Sequence, residues 1–249
     1  EIKDPKSRVL QIQGPASIEI MKSASNGKID ENMPYFSSNF FDLGGQTLYV
    51  SRTGFTNELG FEIFCDGFNT DHLALWDYLI ECGKPYGMKF SASRAMTIRR
   101  IEGGIFGNLT DIDTTITPFE AGLGYFVNMD KDFIGKDALM KKDKRTCLFG
   151  ITCKTAVPKA GSKIKLNDKD VGYITAGVPS PTLQLGIGYV RFYEPNDYMN
   201  KEIEILLPDN SSHIGVVVDL PFYDKEKRIV KGIDRTIPTK PDSKHFNAK

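Results

Sequence analysis

Apolar positions recur along the chain with two periods, and the change from one to the other divides it. Residues 9–13 alternate and predict a strand. Gly14-Pro15 then punctuates, and Pro15 suits the first turn of a helix running to about Ser25. Residues 26–39 are polar and read as a loop. Residues 47–53 are rich in β-formers and follow Gly44-Gly45, a hairpin signal. Residues 60–65 predict another strand, with 54–59 as the short loop between the two. Leu73, Trp76, Leu79 and Ile80 fall at helical spacing; Asn69 or Thr70 would cap that helix and Gly83 would stop it. A further helix is predicted from Ser91 or Ser93 to Glu102, ending at Gly103-Gly104. Residues 111–117 read as a polar loop, 119–129 as a strand region and 135–142 as a short helix.

From about Asp143 the pattern becomes one of short strands separated by turns of Gly, Pro, Asn and Asp. The predicted strands are 147–154, 163–166, 171–176, 185–192, 202–207 and 213–220. The expected architecture is α+β: a sheet with packed helices over residues 1–142, then a small β-barrel over 143–223. Residues 224–249, rich in lysine and proline, are expected to form a partly disordered tail.

Composition narrows the function classes. Hydrophobic residues make up 40% and charged residues 26% of 249, as in a soluble globular protein. Lys plus Arg equals Asp plus Glu at 32 each, which removes any bulk electrostatic pull toward nucleic acid or an acidic membrane. No apolar run approaches the roughly 20 residues of a membrane span. Cys65, Cys82, Cys147 and Cys153 form no C-x-x-C pair and sit among apolar neighbours, so reduced structural thiols in a cytoplasmic protein are expected. His72, His213 and His245 are far apart, and no zinc motif is present. The chain begins at Glu1 and enters the apolar segment 9–12 almost at once, the pattern of a fragment, a processed product or a trimmed chain.

One residue resists a purely architectural reading. On strand 60–65, Phe61, Ile63 and Cys65 point one way and Glu62 and Phe64 the other. Large apolar groups on both faces predict a strand covered on both sides, which would place a carboxylate in apolar surroundings. Burying a lone ionised carboxylate costs at least several kcal/mol unless it is paired or hydrogen-bonded. Three readings meet the requirement: a salt bridge to Arg52 or another arginine, a solvated strand face, or a ligand that donates hydrogen bonds. A pterin ring offers two parallel donors that a carboxylate accepts as a fork.

The segment Ser51-Arg52-Thr53-Gly54-Phe55-Thr56-Asn57-Glu58-Leu59-Gly60-Phe61-Glu62-Ile63 resembles the R-T-G-[YF]-T-G-E-x-G-[FY]-E-[IV] signature of the glycine-cleavage T-protein family. Asn57 stands where that family has glycine, and asparagine tolerates the left-handed backbone such a turn needs. Four further stretches are similar to the family in the same order. They are Leu10-Gln11-Ile12-Gln13-Gly14-Pro15 (L-x-[VL]-Q-G-P), Arg100-Ile101-Glu102-Gly103-Gly104, residues 117–124 with 131–139, and residues 172–183, which include Ser180-Pro181-Thr182.

The resemblance implies tetrahydrofolate as cofactor and transfer of a methyl or aminomethyl group from a small-molecule donor to N5 of the folate. It implies Glu62 as the carboxylate gripping the pterin, Phe55 as a ring that could cover one pterin face, and Arg94 as a folate-holding arginine. The family's catalytic aspartate lies upstream of Leu10, so no catalytic residue is assigned in this chain. In aminomethyltransferases an A-R-D motif precedes R-L-E; here Met96 falls at the arginine's place and Arg94 is two residues off. That departure is closer to the dimethylsulfoniopropionate and aryl O-demethylase relatives. A lipoyl carrier protein is the implied partner if the chain is a true T-protein. The alternative reading is a non-catalytic folate-binding or interaction module. The reading expects Glu102 to cap or pair with Arg99 or Arg100, Asp111 and Asp113 to be solvated, and Ser180-Pro181-Thr182 to form a loop from the barrel.

Overall fold

A computed structural model describes residues 4–236. They form two compact units, one of residues 4–99 with 224–236 and one of residues 100–223. His245 and the tail beyond residue 236 lie outside the described residues.

The first unit is a four-stranded antiparallel sheet with two helices packed on one face and a third bordering its edge. Its strands are β1 (Arg8–Gln13), β2 (Ser38–Leu43), β3 (Gln46–Ser51) and β4 (Gly60–Cys65), in the order β1-β4-β3-β2. β2 and β3 form a hairpin across Gly44 and Gly45, both at positive φ, as a tight two-residue turn requires. The helices are α1 (Ser17–Ala24), α2 (His72–Gly83) and α3 (Ser93–Glu102), whose last three residues belong to the second unit. Ile12, Leu48, Val50, Phe61 and Ile63 on one pleat face pack with Ile18 and Met21 of α1 and Leu75 and Leu79 of α2. Residues 224–236, expected as the start of a tail, pack on this unit: Lys227 Nζ donates to Asn57 Oδ1 at 2.9 Å, and Arg235 pairs with Glu19 at 2.7 Å.

The second unit contains a short helix, α4 (Lys136–Met140), and a closed six-stranded antiparallel barrel. Its strands are β5 (Leu148–Cys153), β6 (Lys163–Leu166), β7 (Lys169–Ser180), β8 (Leu185–Phe192), β9 (Glu202–Leu206) and β10 (Ser212–Val218). They close in the order β10-β5-β8-β7-β6-β9 around Ile151, Ile164, Ile174, Val190 and Val217.

Four local expectations are corrected. Residues 119–129 contain no strand: positive-φ Gly122 and the tight packing of Gly124 on Phe119 turn the chain into a 3₁₀ turn at Gly124–Phe126. Residues 38–43, of which 38 and 39 read as loop and 40–43 carry no predicted element, form β2, because pairing with β3 outweighs the poor strand propensity of Ser38, Asn39 and Asp42. The cap of α2 is Asp71, whose carboxylate accepts from the Ala74 N–H at 3.0 Å, rather than Asn69 or Thr70. β7 runs to Ser180, well past residue 176, because it pairs with β8 along most of its length.

Candidate functional site

The open face of the sheet carries Glu62. Register sets Gln11, Glu62, Ser51 and Ser38 in one row across the four strands, and Val9, Phe64, Tyr49 and Phe40 in the next. The second row is a strip of aromatic contacts, with ring centroids 5.1 Å apart for Phe40–Tyr49 and 5.9 Å for Tyr49–Phe64. Phe40 remains 63% exposed and Glu62 and Phe64 are half-buried. β4 is therefore covered on one face, not two: the aromatic rings shield one another sideways along the row and leave the face open.

Glu62 has no Lys or Arg partner among the described residues. Gln11 Nε2 donates to its Oε1 at 3.2 Å, and Thr53 Oγ1 donates to Oε2 in a short hydrogen bond. Arg52 is engaged elsewhere: its guanidinium donates to the carbonyls of Met33 at 2.5 Å and Lys231 at 3.0 Å. Arg52 is 4% exposed, and burial lowers its pKa from the usual arginine value. The two satisfied carbonyls hold the chain around it, so it serves the frame and not the carboxylate.

The loop 54–59 leading into β4 is braced by Gln13. Its Nε2 donates to the carbonyls of Thr53 and Phe61, both at 3.3 Å, and its Oε1 accepts from Thr56 Oγ1 at 2.8 Å. The carboxamide fills the space that a side chain at Gly54 or Gly60 would need, which is why both positions are glycine. Asn57 takes φ +55° and keeps the turn that its position requires. Phe55 is half-buried in this loop. Glu58, at its end, pairs with Arg99 of α3.

A cleft of about 620 Å³ opens along the outer edge of β1, walled by Trp76 and Leu79 of α2, Met88, Phe90, Met96 and the Glu58–Arg99 pair. The whole run from Val9 to Gln13 lines it, since β1 is an edge strand. Gln11 reaches both the cleft and Glu62, whereas Glu62 is not part of its wall. Met96 faces the cleft; Arg94, in the first turn of α3, is exposed and outside it.

Within the second unit, three buried polar groups tie residues 100–111 to the barrel. Arg100 Nη1 pairs with Asp111 Oδ2 at 2.7 Å, and Thr175 Oγ1 donates to Asp111 Oδ1 at 2.7 Å. Fully buried Glu102 accepts from Ser180 Oγ at 2.5 Å and from the Thr182 N–H at 3.1 Å. The Tyr189 hydroxyl lies 3.1–3.3 Å from the carbonyls of Arg100, Ile101 and Ile105. Two expectations change here. Asp111 is buried, not solvated, because three donors (Arg100, Thr175 and the Gly107 N–H) meet its carboxylate. Arg100 pairs with Asp111, not with Glu102. Asp113 is exposed and pairs with Arg191 at 3.4 Å.

Gln11 and Thr53 were not singled out in sequence as partners of Glu62. The available signal was alternation: in β1, Leu10 and Ile12 face the core, so Gln11 and Gln13 share the face opposite. All four cysteines are unpaired thiols, and no cluster of His, Cys, Asp and Glu among the described residues could hold a metal ion.

An α+β sheet unit followed by a six-stranded antiparallel barrel is the arrangement of the aminomethyltransferase-like proteins. Residues 2–131 match the GCVT N-terminal domain and residues 144–224 the glycine cleavage T-protein C-terminal barrel domain, and the chain belongs to this family. It is 34% identical over 234 residues to an aminomethyltransferase of Caldanaerobacter subterraneus, covering 90% of this chain and 61% of that protein. It is 38% identical over 195 residues to an aminomethyltransferase of Alkaliphilus oremlandii, covering 76% and 52%. The glycine cleavage system aminomethyltransferase T from Bartonella henselae shares the fold, with a TM-score of 0.74 at 22% identity over 88% of this chain and 60% of that one. The chain thus spans between half and three fifths of the length of these relatives.

Proposed function

We propose that the chain binds the pterin end of tetrahydrofolate at Glu62 and takes part in moving a methyl or aminomethyl group from a small-molecule donor to that folate. The observation that carries this reading is the state of Glu62: a half-buried carboxylate on an open sheet face, held by neutral donors and paired with no cation among the described residues. Each of its oxygens keeps an acceptor site, so two parallel N–H donors fit it. The aromatic strip beside it offers flat apolar surface for a heteroaromatic ring. When bound, tetrahydrofolate supplies N5 as the acceptor of the one-carbon unit. The protein's contribution is to orient: Glu62 fixes the pterin edge, Phe55 covers a ring face, and exposed Arg94 meets the anionic glutamate end.

The donor follows from the region of α3. Met96 occupies the place of the arginine expected in aminomethyltransferases, so at that position the cleft wall is apolar, and the nearby Arg99 is already paired with Glu58. This favours a demethylase-type donor over an aminomethyl group delivered by a lipoyl carrier protein. The test is thermal melting with tetrahydrofolate kept reduced. At about one hundred times the dissociation constant, binding to the folded chain alone adds about 2.7 kcal/mol, seen as an upward shift in Tm. An unchanged Tm at millimolar tetrahydrofolate contradicts the reading.

A further inference from the structure

Strand pairing sets Gln11 directly opposite Glu62. Its amide donates to Glu62 Oε1, while Thr53 donates to Oε2, so the carboxylate plane is held from both sides. A carboxylate oxygen has about two lone-pair sites. Each oxygen therefore gives one to the protein and keeps one. The other atom of the Gln11 carboxamide, Oε1, accepts no hydrogen bond among the described residues and stands beside the pair as a third acceptor. Gln11 is also exposed and forms part of the cleft wall that Glu62 does not reach. In the L-x-[VL]-Q-G-P pattern, Gln11 stands at the open position, so the pattern does not dictate its identity.

We infer that Gln11 is a positioning and selectivity residue for the ligand of Glu62: its N–H orients the carboxylate to meet two parallel N–H donors, and its carbonyl adds a separate acceptor beside the fork. The ring N–H and one amino N–H of a pterin run parallel and suit the fork, while the second amino N–H diverges from them and needs an acceptor of its own; the inference rests on the pterin reading above. An apolar residue at position 11 would free the carboxylate to rotate. Glutamate there would place a second carboxylate at hydrogen-bond distance, and the two would resist ionising together.

The experiment measures the dissociation constant of 5-formyltetrahydrofolate, a stable probe with the same pterin edge, from pH 6 to pH 8. It uses the full chain and its Q11L, Q11E and E62Q variants, with the ligand-free Tm of each as a folding control. The parent chain should bind with the same affinity throughout. Q11L should bind about tenfold more weakly at every pH, the loss of one hydrogen bond to a charged group. Q11E should bind weakly at pH 8 and recover several-fold toward pH 6, where a proton on one carboxylate restores the missing donor. A merely structural role for Gln11 would not create that pH dependence. If E62Q abolishes binding while Q11L and Q11E match the parent at every pH, the inference about Gln11 is overturned and the pterin reading stands. Uniform weakening of Q11E across the range also overturns it. If the parent chain does not bind, or E62Q binds as the parent does, the pterin reading falls and the inference with it.

Discussion

Complete burial of a carboxylate is tolerable only when donors meet its oxygens, and Asp111 achieves this with Arg100, the Gly107 N–H and Thr175. Removing one partner of such a pair leaves the other charge stranded, typically at a cost of about 3–5 kcal/mol. Asp111→Ala should therefore lower chemical stability by that amount, measured by urea unfolding, while Asp111→Asn, which keeps an acceptor, should cost less. Equal stability of Asp111→Ala and the parent would contradict the assignment. Cys147 gives a second residue-level expectation. Burial, with nearby Glu120 and Glu194 adding to it, pushes its thiol up to about 11. A raised thiol pKa stabilises the fold below the ordinary thiol value near 9. That contribution is lost as pH rises through 9 to 11, so the native thiol should stay protonated at pH 8. Half-buried Cys82 should react first with a thiol reagent at pH 8, and Cys65, Cys147 and Cys153 only on unfolding. Rapid native labelling of Cys147 would refute this. Glu62 was legible in sequence because the alternation of its own strand exposes it as the odd residue. Asp111 was not, because its local context is polar and its partner Thr175 lies 64 residues away.

Among the elements, strong periodicity was enough where the partner is nearby. The prediction for residues 185–192 matches β8, and those for α1 and α3 fall within two residues of the observed ends. It failed where pairing or turn geometry decides. β2 exists because β3 supplies its ladder, and the apolar run 119–129 cannot extend through its glycine-driven turns. The interlock of Gln13 with the loop 54–59 is of the same nonlocal kind. The barrel carries a sharper constraint: the Gly177 and Gly186 backbones lie against the Pro158 and Ala156 carbonyls, with no room for a Cβ. Because the obstacle is backbone rather than a movable side chain, Gly177→Ala or Gly186→Ala should cost about 3 kcal/mol or more. Gly161, with no atom near its missing Cβ but φ +81°, should cost less, about 1 kcal/mol or so on the scale of an unfavourable backbone region. Urea unfolding of the three variants checks the order, and a Gly161 variant less stable than Gly177→Ala would contradict it.

Across the molecule, the two units differ in how their backbone edges are met. Every strand of the barrel pairs on both sides, whereas the sheet of the first unit ends at β1 and β2. Amide hydrogen exchange should therefore be slower through the core barrel strands β5, β8 and β7 than in β1 and β2, with β3 and β4 more protected than their edge neighbours. The open edge of β1 is also where Gln11 connects the cleft to Glu62, so one of the two edge strands carries part of the candidate site. That site is the central claim, and isothermal calorimetry with tetrahydrofolate on the parent chain and on Glu62→Gln tests it most directly. The amide would turn one acceptor of the fork into a donor facing the ligand's N–H groups, so affinity should fall about 10- to 100-fold, as for loss of hydrogen bonds to a charged group, with the ligand-free Tm unchanged. A parent chain and a Glu62→Gln variant that bind tetrahydrofolate equally well would show that the pterin is not held at Glu62.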